Sequence, residues 1–443
     1  METQRPNIVF FLIDDQRNDT FGCAGHPIVQ TPVVDRLAAE GVRFENMFVT
    51  SSICAASRAS IFTGVAERTH GYTFAKPPVP SRFIETSYPV LMGAAGYRTG
   101  FIGKFGIKVE GGERTRDGML DYCNVINQPH FKKQRDGTQR HETEICGDHA
   151  IDFIDANPEG TPFCLSVSFN ATHAADDDKR PGIGHYPWPR ALDGMYDDVE
   201  VPEPRLADPA IFDAHPDFLK HAMGRERFFW RWDTPEKYQI NMRAYFRMIS
   251  GVDRVIGRVL DRLASHGLAD NTVVICMADN GYYMGDRGFA GKWFHHEQSL
   301  RVPLIIHDPR PGASRRGAVE SRMALNTDMA ATMLDLAGLD VPAVHQGASL
   351  APLMRGDEVS EWRSDFFCEH LFDNPKIPKW EGARSEDLKY ARYFEQGDGY
   401  EFLHDLRADP DELRNVADDP AYKDRLDHMR HRTDELRDRY AAV

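Results

Sequence analysis

Two pairs of oxygen-bearing side chains, Asp14-Asp15 and Asp279-Asn280, each follow a run of apolar residues directly. The runs NIVFFLI and TVVICMA have the continuous apolar character of strands buried on both faces. Carboxylates and an amide at two strand ends form an all-oxygen donor set, which hard divalent cations such as Ca²⁺ or Mg²⁺ take. One Asp-Asp pair alone reads as a helix cap beside a turn residue, because Asp favours such turns; two pairs at two strand ends shift the reading to a metal. A third feature is SSICAASRASIFTG, residues 51–64, where Cys54 and Arg58 stand four positions apart. If a helix starts there, the two share a face, and its free N–H groups and dipole favour an anion. A lone cysteine among small residues would otherwise be core.

The elements that must position these residues alternate. Residues 31–49 read as a helix closed by Gly41 and then a strand. PVLMGAAGYRTGFIGKFG repeats the theme, with Lys104 just past the apolar TGFI. GDHAIDFIDANPEGTPFCLSVSFNATHA is helix, loop and strand, with His173 beyond the strand end. A long amphipathic helix follows and leads into TVVICMA. This alternation predicts an α/β fold with a large, mainly parallel sheet sandwiched by helices. In such sheets the polar strand ends converge on one edge, where ligands bind. Residues 174–235 break the rhythm with Pro, Asp and aromatics and read as a functional rim. Beyond about residue 360, SDFFCEHLF, LKYARYF and YEFLHDL read as short antiparallel strands before a terminal helix. The expected division is a catalytic part, 1–360, and a smaller C-terminal part, 361–443, of antiparallel sheet plus helix.

The chain has 443 residues, 41% hydrophobic and 27% charged, with a net charge of −15. That acidity argues against nucleic-acid and anionic-membrane partners. Seven cysteines, without a C-x-x-C pair, disfavour zinc and a disulfide framework. The opening run, Ile8 to Ile13, is a strand rather than a signal peptide, and no segment is long enough to span a bilayer, so a cytoplasmic location is expected.

C-A-A-S-R with its downstream ASIFTG and THG resembles the signature of type I sulfatases, members of the alkaline-phosphatase-like superfamily. PNIVFFLIDDQR, TPVVDRLAAEGVRFENMFV, NTVVICMADNGYYMGDRGFAGKWFHHEQSLRVPLII and YEFLHDLRADPDELRNVADDP are similar to other motifs of that family, in the same order. The resemblance implies that Cys54 is oxidised by a formylglycine-generating enzyme to formylglycine. It implies that Asp14, Asp15, Asp279, Asn280 and the modified Cys54 hold the metal, usually Ca²⁺, with Mg²⁺ or Mn²⁺ as alternatives. Arg58 would steady the aldehyde hydrate, Lys104 and Lys292 would grip sulfate oxygens, and His173 would protonate the leaving group. The implied reaction is hydrolysis of a sulfate ester, or an N-sulfate, of a small organic or carbohydrate substrate.

Two positions depart from the family pattern. Ala56 stands where Pro is favoured, and Gly106 stands where G-K-x-H carries a histidine base. His70, His295 and His296 are the replacements at hand. Arg180, His185, Trp188, Arg190, Arg227, Trp230 and Trp232 of the rim, with His296, are the expected substrate contacts, suited to stacking on a sugar and pairing with a carboxylate or second sulfate. The rim aromatics equally suit packing the long segment down. Two other functions fit the same residues: a phosphate or phosphonate ester hydrolase on this scaffold, and a non-catalytic binder of sulfated glycans in which Cys54 stays a thiol.

Overall fold

Strand Asn7–Ile13 (β1) is buried at every position, because both of its faces carry apolar side chains. In the computed structural model, which describes residues 5–74, 77–178 and 185–441, it is a central strand of an eight-stranded sheet. The others are β2 (Val42–Phe44), β3 (Arg98–Gly103), β4 (Tyr122–Val125), β5 (Phe163–Ser168), β6 (Thr272–Ala278), β7 (Leu304–His307) and β8 (Ala318–Glu320). Across the sheet they lie in the order β8-β2-β7-β6-β1-β5-β3-β4. Only β7 runs antiparallel to its neighbours, β6 and β2.

Alternate side chains of β1 feed two cores. Val9, Phe11 and Ile13 pack with Phe246, Ile249 and Val252 of a long helix, Pro235–Ser265. Ile8, Phe10 and Leu12 enter the core on the other face, with Ile61 and Phe62. Each such apolar side chain removed from water contributes about 1.5–3 kcal/mol, which is why the sheet edge can carry charge without unravelling.

A second sheet is antiparallel and follows in sequence: β9 (Asp365–His370), β10 (Trp380–Ser385), β11 (Leu388–Tyr393) and β12 (Tyr400–Asp405). One face sends Phe366, Trp380, Tyr393 and Phe402 into the core of the large sheet. The other packs Phe367, Tyr390 and Leu403 against Leu426, Met429 and Leu436 of the terminal helix, Lys423–Ala441. The Trp380 indole N–H donates to the Trp293 carbonyl at 2.6 Å, tying the segment that follows Lys292 to this sheet.

Between residues 185 and 235 the chain forms short helices, including Pro209–Asp213, Asp217–Lys220 and Met223–Arg231. Tyr186, Leu192, Tyr196 and Trp232 of this stretch are buried. Among the described residues no helix is long and apolar enough to cross a membrane.

Candidate active site

β1 and β6 run side by side with Ile13 opposite Ala278, so the chain leaves both at the same edge. The Asp279 N–H donates to the Ile13 carbonyl and the Asp14 N–H to the Ala171 carbonyl, each at 3.0 Å. Three adjacent strand ends thus bring together Asp14-Asp15, Asp279-Asn280 and the loop carrying His173. Asp15 has a left-handed backbone, φ 57°, which a short polar side chain tolerates. Its carboxylate accepts from Asn280 Nδ2 at 2.6 Å and from Lys292.

Helix Cys54–Thr63 has all ten residues buried. Ala55, Ala56, Ser57, Ala59 and Ser60 make that burial sterically cheap, and Gly64, at φ 73°, closes the helix by donating to the Ser60 carbonyl. Cys54 is its first residue, so the N–H groups of the first turn lack helical partners beside the thiol. Lys292 Nζ lies 2.8 Å from Cys54 Sγ. Cys54, Asp14 and Asp279 each offer a ligand atom within 4.8 Å of the others, and so do Cys54, Asp15 and His173.

One turn on, Arg58 is also buried. Its Nε donates to Asp279 at 2.6 Å, and its Nη1 to Ser168 Oγ and the Lys104 carbonyl, both at 2.6 Å. Nη2 has no hydrogen-bond partner among the described residues and stands 3.9 Å from Asp14. Lys104 donates to Asp14. The fixed fork of the guanidinium therefore braces the site and keeps one donor edge free.

These residues fit a divalent cation. Asp14 Oδ1, Asp15 Oδ2 and Asn280 Oδ1 are buried acceptors without a hydrogen-bond partner among the described residues, and all are the oxygens a hard ion takes. Burial pushes the Asp279 carboxyl up and the Asp14 charge adds to this, against Arg58 and Lys104. Burial acts the same way on Asp14, but Lys104, His173 and Arg58 together hold it well below the usual carboxylate range. Three carboxylates face three cations, Arg58, Lys104 and Lys292. A divalent ion added to that set leaves positive charge for an anionic substrate. Burial, with Asp14, pushes the Cys54 thiol up to about 12, the reverse of the shift that activates a cysteine nucleophile.

His173 Nδ1 lies 2.7 Å from the Ala174 carbonyl. Gln128 Nε2 lies 3.1 Å from the same nitrogen, so Nδ1 is engaged by both neighbours and Nε2, 3.6 Å from Asp15 Oδ2, is the edge turned toward the cluster. Burial lowers the basicity of this imidazole, while Asp15 and Asp14 oppose that effect.

Gly106 has φ +72°, and a Cβ built there would come within 2.7 Å of Arg58 Cδ. A histidine at this position would displace the brace, which gives the departure at Gly106 a steric reason. The replacements lie elsewhere. His70 is buried behind the Cys54 helix, with Nε2 3.2 Å from Ser60 Oγ. His295 and His296 are fully buried, and their hydrogen-bond partners are Tyr393, His404 and Tyr283 rather than any member of the oxygen cluster.

The rim divides. Arg227 pairs with Asp176 at 2.8 Å and lies over the Trp293 ring, 4.9 Å from its centre; Trp293 is next to Lys292 in sequence. Trp230 lies between Arg227 and Arg231, its ring 5.6 and 5.5 Å from their guanidinium carbons. Trp232 is buried against Tyr186 and Tyr238. Trp188 bonds Asp193 under Arg247, and Arg190 lies over Phe131. His185 is buried, its N–H donating to Asn241. Arg180 lies outside the described residues. Sequence reasoning missed Ser168, which accepts from Arg58, and Thr172, whose hydroxyl donates to the Asp14 and Asp15 carbonyls at 3.0 and 3.1 Å. It also missed Asp176, whose carboxylate raises His173 and holds Arg227 and Arg231. Only Thr172 carried a signal, its place between Asn170 and His173 at a strand end.

A family model described as Sulfatase matches residues 6–339, and one described as N-sulphoglucosamine sulphohydrolase, C-terminal, matches residues 285–439. The chain is similar to an N-acetylglucosamine-6-O-sulfatase of Bacteroides thetaiotaomicron, with 28% identity over 99% of this chain and 87% of that protein. Its fold is similar to that of a protein solved with its substrate D-glucosamine-2-N,6-O-disulfate, with a TM-score of 0.83 and 24% identity over 98% of both chains. It is also similar to the phosphonate monoester hydrolase of Agrobacterium radiobacter, with a TM-score of 0.81 and 23% identity over 98% of this chain and 96% of that one.

Proposed function

The chain belongs to the sulfatase family, and from that premise we propose that it hydrolyses sulfate esters of an amino sugar through a formylglycine made from Cys54. It is a sulfuric ester hydrolase acting on carbohydrate sulfate, and the family implies formylglycine and a divalent metal. The finer reading adds Ca²⁺ held by Asp14, Asp15, Asp279 and Asn280, and an O-sulfate on a glucosamine-type ring. The observation that carries it is Cys54 at a helix N-terminus, 2.8 Å from Lys292 Nζ and within 4.8 Å of the Asp14 and Asp279 oxygens. What supports the sugar is the 28% identical relative and the Arg227, Trp230 and Trp293 group beside the site, which suits stacking and anion pairing.

When bound, the cation supplies charge neutralisation at the sulfate oxygens, and the hydrated aldehyde supplies a hydroxyl nucleophile. The rest falls to side chains in view. Lys104 and Lys292 are cations that turn from Asp14 and Asp15 to incoming sulfate oxygens, where charge accumulates in the transition state. Arg58, braced on Asp279, Ser168 and the Lys104 carbonyl, holds the substituent of residue 54 with its free Nη2. His173, its Nδ1 fixed on Ala174, presents Nε2 to deliver a proton to the departing sugar oxygen. An anionic sulfate ester entering beside Asp14 and Asp15 makes that proton easier to hold.

Peptide mass spectrometry of Cys54, with turnover of glucosamine 6-sulfate, glucosamine N-sulfate and an aryl phosphonate by the same preparation, tests the reading. Formylglycine together with preference for the 6-sulfate supports it. An unmodified Cys54 in a fully active enzyme, or preference for the phosphonate, overturns it.

A further inference from the structure

Away from the oxygen cluster the protein buries a second group of ligating side chains, and this one contains only nitrogen. His295 and His296 sit in the strap that leaves Lys292, and His404 lies on β12. All three are buried, at 0%, 0% and 2% exposure. Each can bring one ring nitrogen within 4.8 Å of the other two, and His295 Nε2 and His404 Nε2 are 3.1 Å apart.

The opposite edges of the rings all meet oxygen. His295 Nδ1 lies 2.9 Å from the Tyr393 hydroxyl, His296 Nδ1 2.7 Å from the Tyr283 hydroxyl, and His404 Nδ1 3.0 Å from the Arg414 carbonyl. Because the carbonyl can only accept, His404 carries its proton on Nδ1 and turns a bare lone pair inward. The hydroxyls allow the same tautomer in the other two rings. Among the described residues His296 Nε2 is buried without a hydrogen-bond partner, and so is Nε2 of His215, whose ring centre is 5.6 Å from that of His296. Leaving such an atom unpaired costs about 1–3 kcal/mol.

From this arrangement we infer that His295, His296 and His404, beside the ring of His215, form a structural transition-metal site suited to Zn²⁺. Zinc takes neutral imidazole nitrogens at roughly 2.0–2.1 Å in a tetrahedron, which places two ligand nitrogens about 3.3 Å apart, close to the His295–His404 spacing. Outer oxygens that fix each ring by its other N–H are the normal surroundings of a zinc-bound histidine. A purely hydrogen-bonded pair accounts for the inner nitrogens of His295 and His404 but leaves Nε2 of His296 and of His215 without a partner among the described residues. The nearby carboxylates are already paired: Lys389 bridges Glu297 and Glu412 at 2.6 Å each, Arg384 stands 3.5 Å from Glu297, and Arg287 stands 3.8 Å from Glu412. The ion would clip the strap after Lys292 to the C-terminal sheet.

The test uses the full-length, tag-free protein, stripped with chelator and titrated with Zn²⁺ and, separately, Co²⁺. The expected result is uptake of about one equivalent of Zn²⁺ at this site, a rise in melting temperature of several degrees, and the visible absorption of tetrahedral, nitrogen-ligated Co²⁺. The tetrahedral Co²⁺ spectrum should persist in Asp14→Asn, which damages the oxygen cluster, and disappear in His404→Gln, where uptake at the oxygen cluster remains. A spectrum lost in Asp14→Asn but kept in His404→Gln places the ion at the oxygen cluster and overturns the inference. So does an absence of uptake or of a tetrahedral Co²⁺ spectrum in the wild-type chain, a measurement that does not depend on either variant folding.

Discussion

The oxygen cluster at the ends of β1 and β6 and the imidazole cluster at the C-terminal sheet are both buried, yet they pay for burial in opposite ways. At the first, Asp14, Asp15 and Asp279 stay close to Arg58, Lys104 and Lys292, so charge is set against charge. At the second, burial drives His295 and His296 far below the usual imidazole range, and neutrality takes the place of pairing. A site that must receive an anion keeps cations in reserve; a site that ties the segment after Lys292 to the C-terminal sheet does not need them. The contrast makes the two regions separable by experiment: damage to the first should appear in turnover, and damage to the second in stability.

The largest effect is expected at residue 54. If Cys54 is the precursor of the nucleophile as proposed, Cys54→Ala should lower turnover of sulfate esters to the assay background while the melting temperature stays close to that of the parent. Substantial turnover in this variant would remove the oxygen cluster from the chemistry. Next come the cations: Lys104→Ala and Lys292→Ala should each lower kcat by roughly 10²–10³-fold, the range for losing one oriented donor to developing charge. Losses under about fivefold in both would show that these lysines only balance Asp14 and Asp15.

How far each region was legible follows from the same contrast. Asp14, Asp15, Lys104, Asp279 and Asn280 could be read because each ends an apolar strand, and adjacent parallel strands must deliver their ends to one edge. Lys292 lies in a loop without periodicity and came only from its motif. Asp176 and Ser168 are single polar residues whose partners are far away in sequence, so no local pattern marks them. The rim aromatics Trp188 and Trp232 were ambiguous because a tryptophan that packs and one that stacks on a sugar look alike in sequence; here Trp232 packs. Strand β10, WEGARS, was not expected, since Glu381 and Arg384 break its apolar alternation. Glu381 is tolerated there because Arg392 and Arg68 pair with it.

Stability should respond most at the strut between the segment after Lys292 and the C-terminal sheet. Lys389 is fully buried between Glu297 and Glu412. Lys389→Met leaves Glu412 and Glu297 only their longer contacts to Arg287 and Arg384, at 3.8 and 3.5 Å, and breaking such a buried pair costs about 3–5 kcal/mol. Urea denaturation should show that loss, with kcat per folded molecule within about threefold of the parent. A neutral effect on stability would mean that water already reaches the strut.

The smallest expected effect separates burial from pairing at one residue. His370, at the end of β9, is buried with both ring nitrogens unpaired, and burial lowers its pKa from 6.5 to about 3. The folded state therefore binds a proton less readily than the unfolded chain. The stability tied to its neutral form is complete above pH 6.5 and is lost as pH falls toward 3. By pH 5 the loss for such a group is about 2 kcal/mol. His370→Leu keeps the site apolar and removes the titration, so its stability between pH 7 and 5 should fall by about 2 kcal/mol less than that of the parent. Parallel pH profiles for the two proteins would mean that His370 reaches water in the folded state, and burial would then not be what keeps it neutral.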